Sequence, residues 1–237
     1  MLFEEAVWIG NEIQKLTGAG SIQRVLNIGS STRESWETEQ NHVQAYVINK
    51  IKNAGARLIN TDIKKGEGVD IAGDLNDPKL IEELSEMDFN LVICANLLEH
   101  VKDPEKITAS ISQIVKPGNY AIVTVPRIYP YHPDPEDYLF RPDAKELQTY
   151  FKGFDLVASA EVNGKRTINH KGKIKYYSCY FQVLLSQPKQ LLITIVRLLT
   201  PFYKYANWKK TAFYFPKIFQ KFSVTCIVLV KNDLSNA

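Results

Sequence analysis

Four apolar runs in the first hundred residues are each followed by groups able to hold an adenosine-bearing ligand. Val25-Leu26-Asn27-Ile28 leads into Gly29-Ser30-Ser31-Thr32, and Ala56 to Asn60 leads to Asp62. Gly68 to Gly73 leads to Asp74-Leu75, and Phe89 to Cys94 leads to the stretch from Asn96 to His100. A glycine just past a buried strand lets the backbone come close to a bound molecule. A carboxylate after the second strand can accept hydrogen bonds from both ribose hydroxyls, and one after the third can take the exocyclic amine of an adenine. The first loop lacks the later glycines of G-x-G-x-x-G, which argues against a pyrophosphate seated on a helix N-terminus and so against a dinucleotide. His100 adds a candidate base within reach of a reacting oxygen or nitrogen. Its structural alternative is a histidine that packs and caps at the start of a helix, and Glu99 beside it reads as a solvated or capping residue.

The elements that must position these groups alternate. Phe3, Val7, Ile9, Ile13 and Leu16 have mostly helical spacing, which predicts a leading helix ending near Gly18. Strand one covers Arg24 to Ile28. A helix from Glu37 to Asn53 follows, with Val43, Val47 and Ile51 on one stripe and Gly55 at its C-terminal cap. Strand two covers Ala56 to Asn60 with Asp62 just beyond it, and strand three falls within Gly68 to Leu75. Asp77-Pro78 and Asp103-Pro104 each cap a helix. Strand four is Phe89 to Cys94 and strand five Tyr120 to Val125. A helix over Asp143 to Phe151, a strand over Phe154 to Ala160 and a β-branched final strand over Phe222 to Val230 complete the reading. This rhythm predicts an α/β fold, a mostly parallel sheet with helices on both faces, in which ligands bind outside the carboxyl ends of the strands.

The chain has 237 residues and reads as one large domain, 1–237. Its net charge of +3 conceals a division: residues 1–161 carry 16 basic and 25 acidic side chains, whereas 162–237 carry 13 and 1. The insertion 163–221, before the last strand, interleaves lysines with aromatic residues. An anionic membrane surface suits it, and an ordinary helical cap or homodimer contact is the alternative. The acidic first part and the lack of any recognition motif argue against nucleic acid. Cys94, Cys179 and Cys226 form no C-x-x-C pair, so neither a zinc site nor a disulfide framework is indicated, and no clustered ligand set asks for a metal. Glu4 and Glu5 give the N-terminus the wrong charge for a signal peptide, and a cytoplasmic protein is expected.

Taken together, Val25 to Ser31, Asp62, Gly73-Asp74-Leu75, Leu97-Leu98-Glu99-His100-Val101 with Asp103-Pro104, and Lys116-Pro117-Gly118 resemble the class I S-adenosylmethionine-dependent methyltransferases. The likeness spans residues 24 to about 160. It implies a Rossmann-like class I methyltransferase sheet with an antiparallel last strand. It also implies a cofactor site of Asn27, Gly29, Ser30, Ser31, Asp62, Asp74, Leu75 and Asn96. In that site Gly29 and Ser30 line the methionine part, Asp62 holds the ribose, Asp74 and Leu75 frame the adenine, and Asn96 faces the methionine end. The chain departs from the family in its first loop, where Gly29-Ser30-Ser31 replaces G-x-G. The loop 130–142 is similar to a segment of methyltransferases of bacterial surface-glycan synthesis. It places His132 and Asp137 with His100 as candidate catalytic groups, and Tyr131, Asp134, Tyr138 and Arg141 as substrate contacts. A rigid loop braced by an Asp-Arg pair is the alternative. The expected activity is O-methylation of a small-molecule or lipid-linked sugar, peripherally at the cytoplasmic membrane face. A methyltransferase-like scaffold with weak or lost turnover is the alternative.

Overall fold

The computed structural model of the chain describes residues 1–18, 22–129, 136–164 and 222–233. Its strands are β1 (Arg24–Ile28), β2 (Arg57–Asp62), β3 (Ile71–Ala72), β4 (Leu91–Ala95), β5 (Tyr120–Ile128), β6 (Phe154–Asn163) and β7 (Ser223–Lys231). They form one sheet in the order β3-β2-β1-β4-β5-β7-β6. Strands β1 to β5 pair in parallel, and β7 lies antiparallel between β5 and β6. Chain order reverses between β1 and β4, which opens a crevice at their carboxyl ends. The insertion 163–221 lies outside the described residues apart from its first two.

Alternate residues of the central strands go to opposite layers. Val25, Leu91, Ile93 and Ile122 pack with α1 (Phe3–Gly18), and Leu26, Val92, Cys94 and Val123 pack with the helices of the other face. Burial on both faces is why these strands read as continuous apolar runs.

The helix expected over Glu37 to Asn53 is broken. A π-turn at Ser35–Glu39 is followed by α2 (Asn41–Val43), a second π-turn at Gln44–Ile48 and α3 (Asn49–Asn53). Val47 and Ile51 are still buried. At the second π-turn the backbone of α1 approaches so closely that a Cβ on Gly10 would stand 2.1 Å from the Tyr46 carbonyl oxygen. Gly10→Ala is expected to destabilise the fold by about 1–3 kcal/mol through this overpacking, read as a lower midpoint in thermal unfolding. Gly55 ends α3 as expected, with φ +76°, its N–H on Lys52 O and the next N–H on Ile51 O, a Schellman closure.

The third strand shrinks to two residues because Asp70 replaces a ladder partner. Its carboxylate accepts from Asn60 N at 2.8 Å, while its own N–H bonds Asn60 O. On the other side of the sheet α4 (Pro78–Glu86), α5 (Pro104–Ile114) and α6 (Ala144–Thr149) are capped by Asp77, Asp103 and Asp143. The prolines at Pro78 and Pro104 occupy the first helical position, where no N–H is needed.

Candidate active site

A cavity of about 760 Å³ opens at the carboxyl ends of β1, β2 and β4. All eight residues expected to hold the cofactor line it: Asn27, Gly29, Ser30, Ser31, Asp62, Asp74, Leu75 and Asn96. The loop after β1 turns at Gly29, φ +66°, where the N–H groups of Gly29 and Ser30 both reach Thr61 O. Ser30 is nearly buried and its hydroxyl donates to Ser31 O, so it is folded back on its own loop. Ser31, standing where a second glycine is usual, keeps a glycine-like φ of +58° and is exposed. The turn at Ser31 therefore carries left-handed backbone strain of about 1–2 kcal/mol. Ser31→Gly is expected to raise the thermal midpoint by about 2–4 °C, with cofactor affinity, read by titration calorimetry, unchanged or tighter.

Asp62 is the last residue of β2 and not a residue beyond it. Its carboxylate is fixed by two backbone donors, Ser31 N at 2.9 Å on one oxygen and Lys64 N at 3.0 Å on the other. Each carboxylate oxygen has two lone pairs, so one on each is left for a diol. Asp74 accepts from Asn76 N at 2.9 Å, and Leu75 supplies a buried apolar wall. Thr61 Oγ1 and Trp36 Nε1 are buried polar atoms with no hydrogen-bond partner, and both residues line the cavity. Orphaned polar atoms of this kind in residues of a cavity wall fit a polar, hydroxyl-bearing ligand.

The stretch after β4 folds into a short 3-10 turn, Leu98–His100. Glu99 is fully buried and lines the cavity, which corrects its reading as a solvated residue. His100 Nδ1 lies 2.6 Å from Glu136 O. A carbonyl can only accept, so Nδ1 carries a proton, and in the neutral ring Nε2 is the acceptor. Glu99 Oε1 lies 3.7 Å from that Nε2.

Asp137 and Arg141 do not line the cavity. They form a buried ion pair at 2.5 Å, and Asp137 also accepts from Leu139 N at 2.8 Å. This is the Asp-Arg brace of the alternative reading of the loop. Tyr138 is half exposed, also off the cavity, and donates to Glu136. His132, Tyr131 and Asp134 lie outside the described residues.

Two further groups at the cavity escaped the sequence reading. Glu5, in the first turn of α1, is fully buried there. Tyr129, at the end of β5, has its hydroxyl pushed above the usual range by burial and by the charges of Glu5 and Glu99, with Arg141 opposing, so it stays a neutral phenol. Burial likewise raises the Cys94 and Cys226 thiols, with Glu99 and Glu5 adding to the effect, which removes both as nucleophiles. Among the described residues no set of three His, Cys, Asp or Glu is arranged to hold a metal ion.

A family model described as a methyltransferase domain matches residues 13–164. Among solved structures, the chain is similar to a proposed methyltransferase from Bacillus halodurans C-125 at 11 % identity and TM-score 0.57, covering 94 % of this chain and 99 % of that one. A proposed sarcosine dimethylglycine methyltransferase from Galdieria sulphuraria is similar at 12 % identity and TM-score 0.52, with 97 % and 85 % covered. The [4+2]-cyclase SpnF matches at 11 % identity and TM-score 0.53, with 94 % and 80 % covered. A cyclase among these likenesses shows that the fold by itself does not decide the reaction. No curated protein was found to match the sequence.

Proposed function

The chain belongs to the methyltransferase domain family, and from that premise we propose that it methylates a hydroxyl oxygen of a sugar or lipid-linked glycan with S-adenosylmethionine as cofactor. The observation that carries the oxygen acceptor is the anchoring of His100 Nδ1 by Glu136 O, which in the neutral ring makes Nε2, at the cavity wall, the basic nitrogen. A hydroxyl needs its proton removed as it reacts, whereas a neutral amine does not, so a fixed base suits an alcohol. Once Nε2 takes that proton, the buried Glu99 carboxylate is its counter-ion. When bound, S-adenosylmethionine supplies an electrophilic methyl group on a sulfonium. Asp62 would hold its ribose, Asp74 and Leu75 its adenine, and Gly29, Ser30, Asn27 and Asn96 its methionine end.

The sugar reading is supported by the likeness of the loop 130–142 to glycan methyltransferases and by its hold on His100 through Glu136. Peripheral contact with the cytoplasmic membrane face is supported by charge, since 162–232 contain 13 lysines and arginines and no acidic residue. No helix among the described residues is long and apolar enough to cross a membrane. Incubation with methyl-labelled S-adenosylmethionine and a panel of nucleotide sugars, lipid-linked sugars and small amines tests the acceptor. Label in an alkali-stable sugar methyl ether is the expected result, and label on nitrogen alone overturns the reading. Co-sedimentation with anionic vesicles tests the membrane contact, which a protein left wholly in the supernatant would contradict.

A further inference from the structure

Three donors converge on the buried carboxylate of Glu5. Asn96 Nδ2 at 2.7 Å and Thr124 Oγ1 at 2.6 Å reach Oε1, and Leu2 N at 3.0 Å reaches Oε2. The last of these is the return bond of a helix cap, which a glutamate at the third helical position commonly makes from the surface. The other two are not. They tie the first turn of the chain to the mouth of β4 and the middle of β5, 91 and 119 residues away in sequence. A cap alone gives no reason to carry a charge into the interior, where it is costly unless fully satisfied.

The consequence falls on Asn96. A carboxylate accepts and never donates, so the amide must turn Nδ2 toward Glu5, and Oδ1 is the atom left for the cavity that Asn96 lines. The backbone of Asn96 is held at φ +53°, with its N–H on Thr124 O at 2.9 Å, so Thr124 grips both Asn96 and Glu5. The Glu5 charge is felt by Tyr129, another lining residue. A carbonyl offered to a cavity with a negative charge behind it is a prepared seat for positive charge.

We propose that Glu5 is a positioning residue that, through Asn96, makes the N-terminal helix part of the methyl-transfer site and gives it preference for a cationic sulfonium over a neutral thioether. S-adenosylmethionine carries the former and S-adenosylhomocysteine the latter, so the device favours fresh cofactor over spent. Glu5 lies in the leading helix, ahead of the segment 13–164 that the family model matches. The inference rests on the cofactor reading given above.

Titration calorimetry of the full chain with each ligand separates the two readings. Glu5→Gln is expected to weaken S-adenosylmethionine about tenfold and S-adenosylhomocysteine less than about twofold, the difference that one nearby charge makes to a charged ligand only. Equal losses for both ligands, or none, overturn the proposal and leave Glu5 a structural cap. A wild-type chain that binds neither ligand overturns the cofactor reading instead. If circular dichroism finds E5Q unfolded, Asn96→Gly, which suits the positive φ and removes the amide, takes its place. It should lower the ratio of the two affinities in the same direction, and an unchanged ratio in N96G overturns the proposal.

Discussion

His100→Ala is expected to lower kcat by about 10²- to 10⁴-fold while the dissociation constant for S-adenosylmethionine stays within about twofold. The split follows from what His100 touches. Its ring, on the cavity wall in the turn after β4, is anchored to Glu136 O through Nδ1 and lies beside Glu99 through Nε2, and neither contact is with a cofactor residue. Removing the ring takes away a proton acceptor and leaves the cofactor contacts of Gly29, Asp62 and Leu75 in place. Glu99→Gln should cost less, about tenfold, because the base remains and only its counter-ion is lost. Steady-state kinetics paired with calorimetry on the same preparations checks both. A H100A enzyme with unchanged kcat would return His100 to the packing and capping role that its place at the end of a 3-10 turn also permits, and would remove the argument for an oxygen acceptor.

How much of this was legible in the sequence differs between residues for physical reasons. β1, β4, β5 and β7 were readable because two-sided burial forces continuous apolar runs, and α4 and α5 because Asp-Pro is a local signal for a helix start. The cofactor residues were readable because each follows its strand directly, so their convergence is a property of the sheet. The broken helix at 35–53 was not, since its π-turns accompany the approach of Gly10 to Tyr46, a contact between two elements that local periodicity does not record. For Asp137 and Arg141 the sequence offers both a substrate loop and an Asp-Arg brace, and their spacing of four makes the brace. Glu5 shows the limit most clearly. Its local signal, a glutamate near a helix start, says cap; its burial arises from Asn96 and Thr124, and no window along the chain contains all three.

Asp62→Ala should raise the dissociation constants of S-adenosylmethionine and S-adenosylhomocysteine together by about 10²- to 10⁴-fold. Two hydrogen bonds from ribose hydroxyls to a charged acceptor are worth about 1.5–3 kcal/mol each, which spans that range. The equality of the two losses is the discriminating part, because the ribose is common to both ligands and the charge that Glu5 addresses is not. Calorimetry with a 2′-deoxy analogue sharpens the point: the analogue should bind the wild type more weakly than the parent does, and D62A should no longer tell them apart. The substitution also strips Ser31 N and Lys64 N of their acceptor, and Ser31 already sits in a strained left-handed conformation. Part of the loss then comes from a loop that no longer holds its shape, and D62A with Ser31→Gly should recover that part alone. If the second substitution restores most of the affinity, Asp62 acts chiefly by bracing the β1 loop. If it restores little, the carboxylate acts on the ribose, and the geometry favours this outcome because each of its oxygens has one lone pair left after the backbone is served.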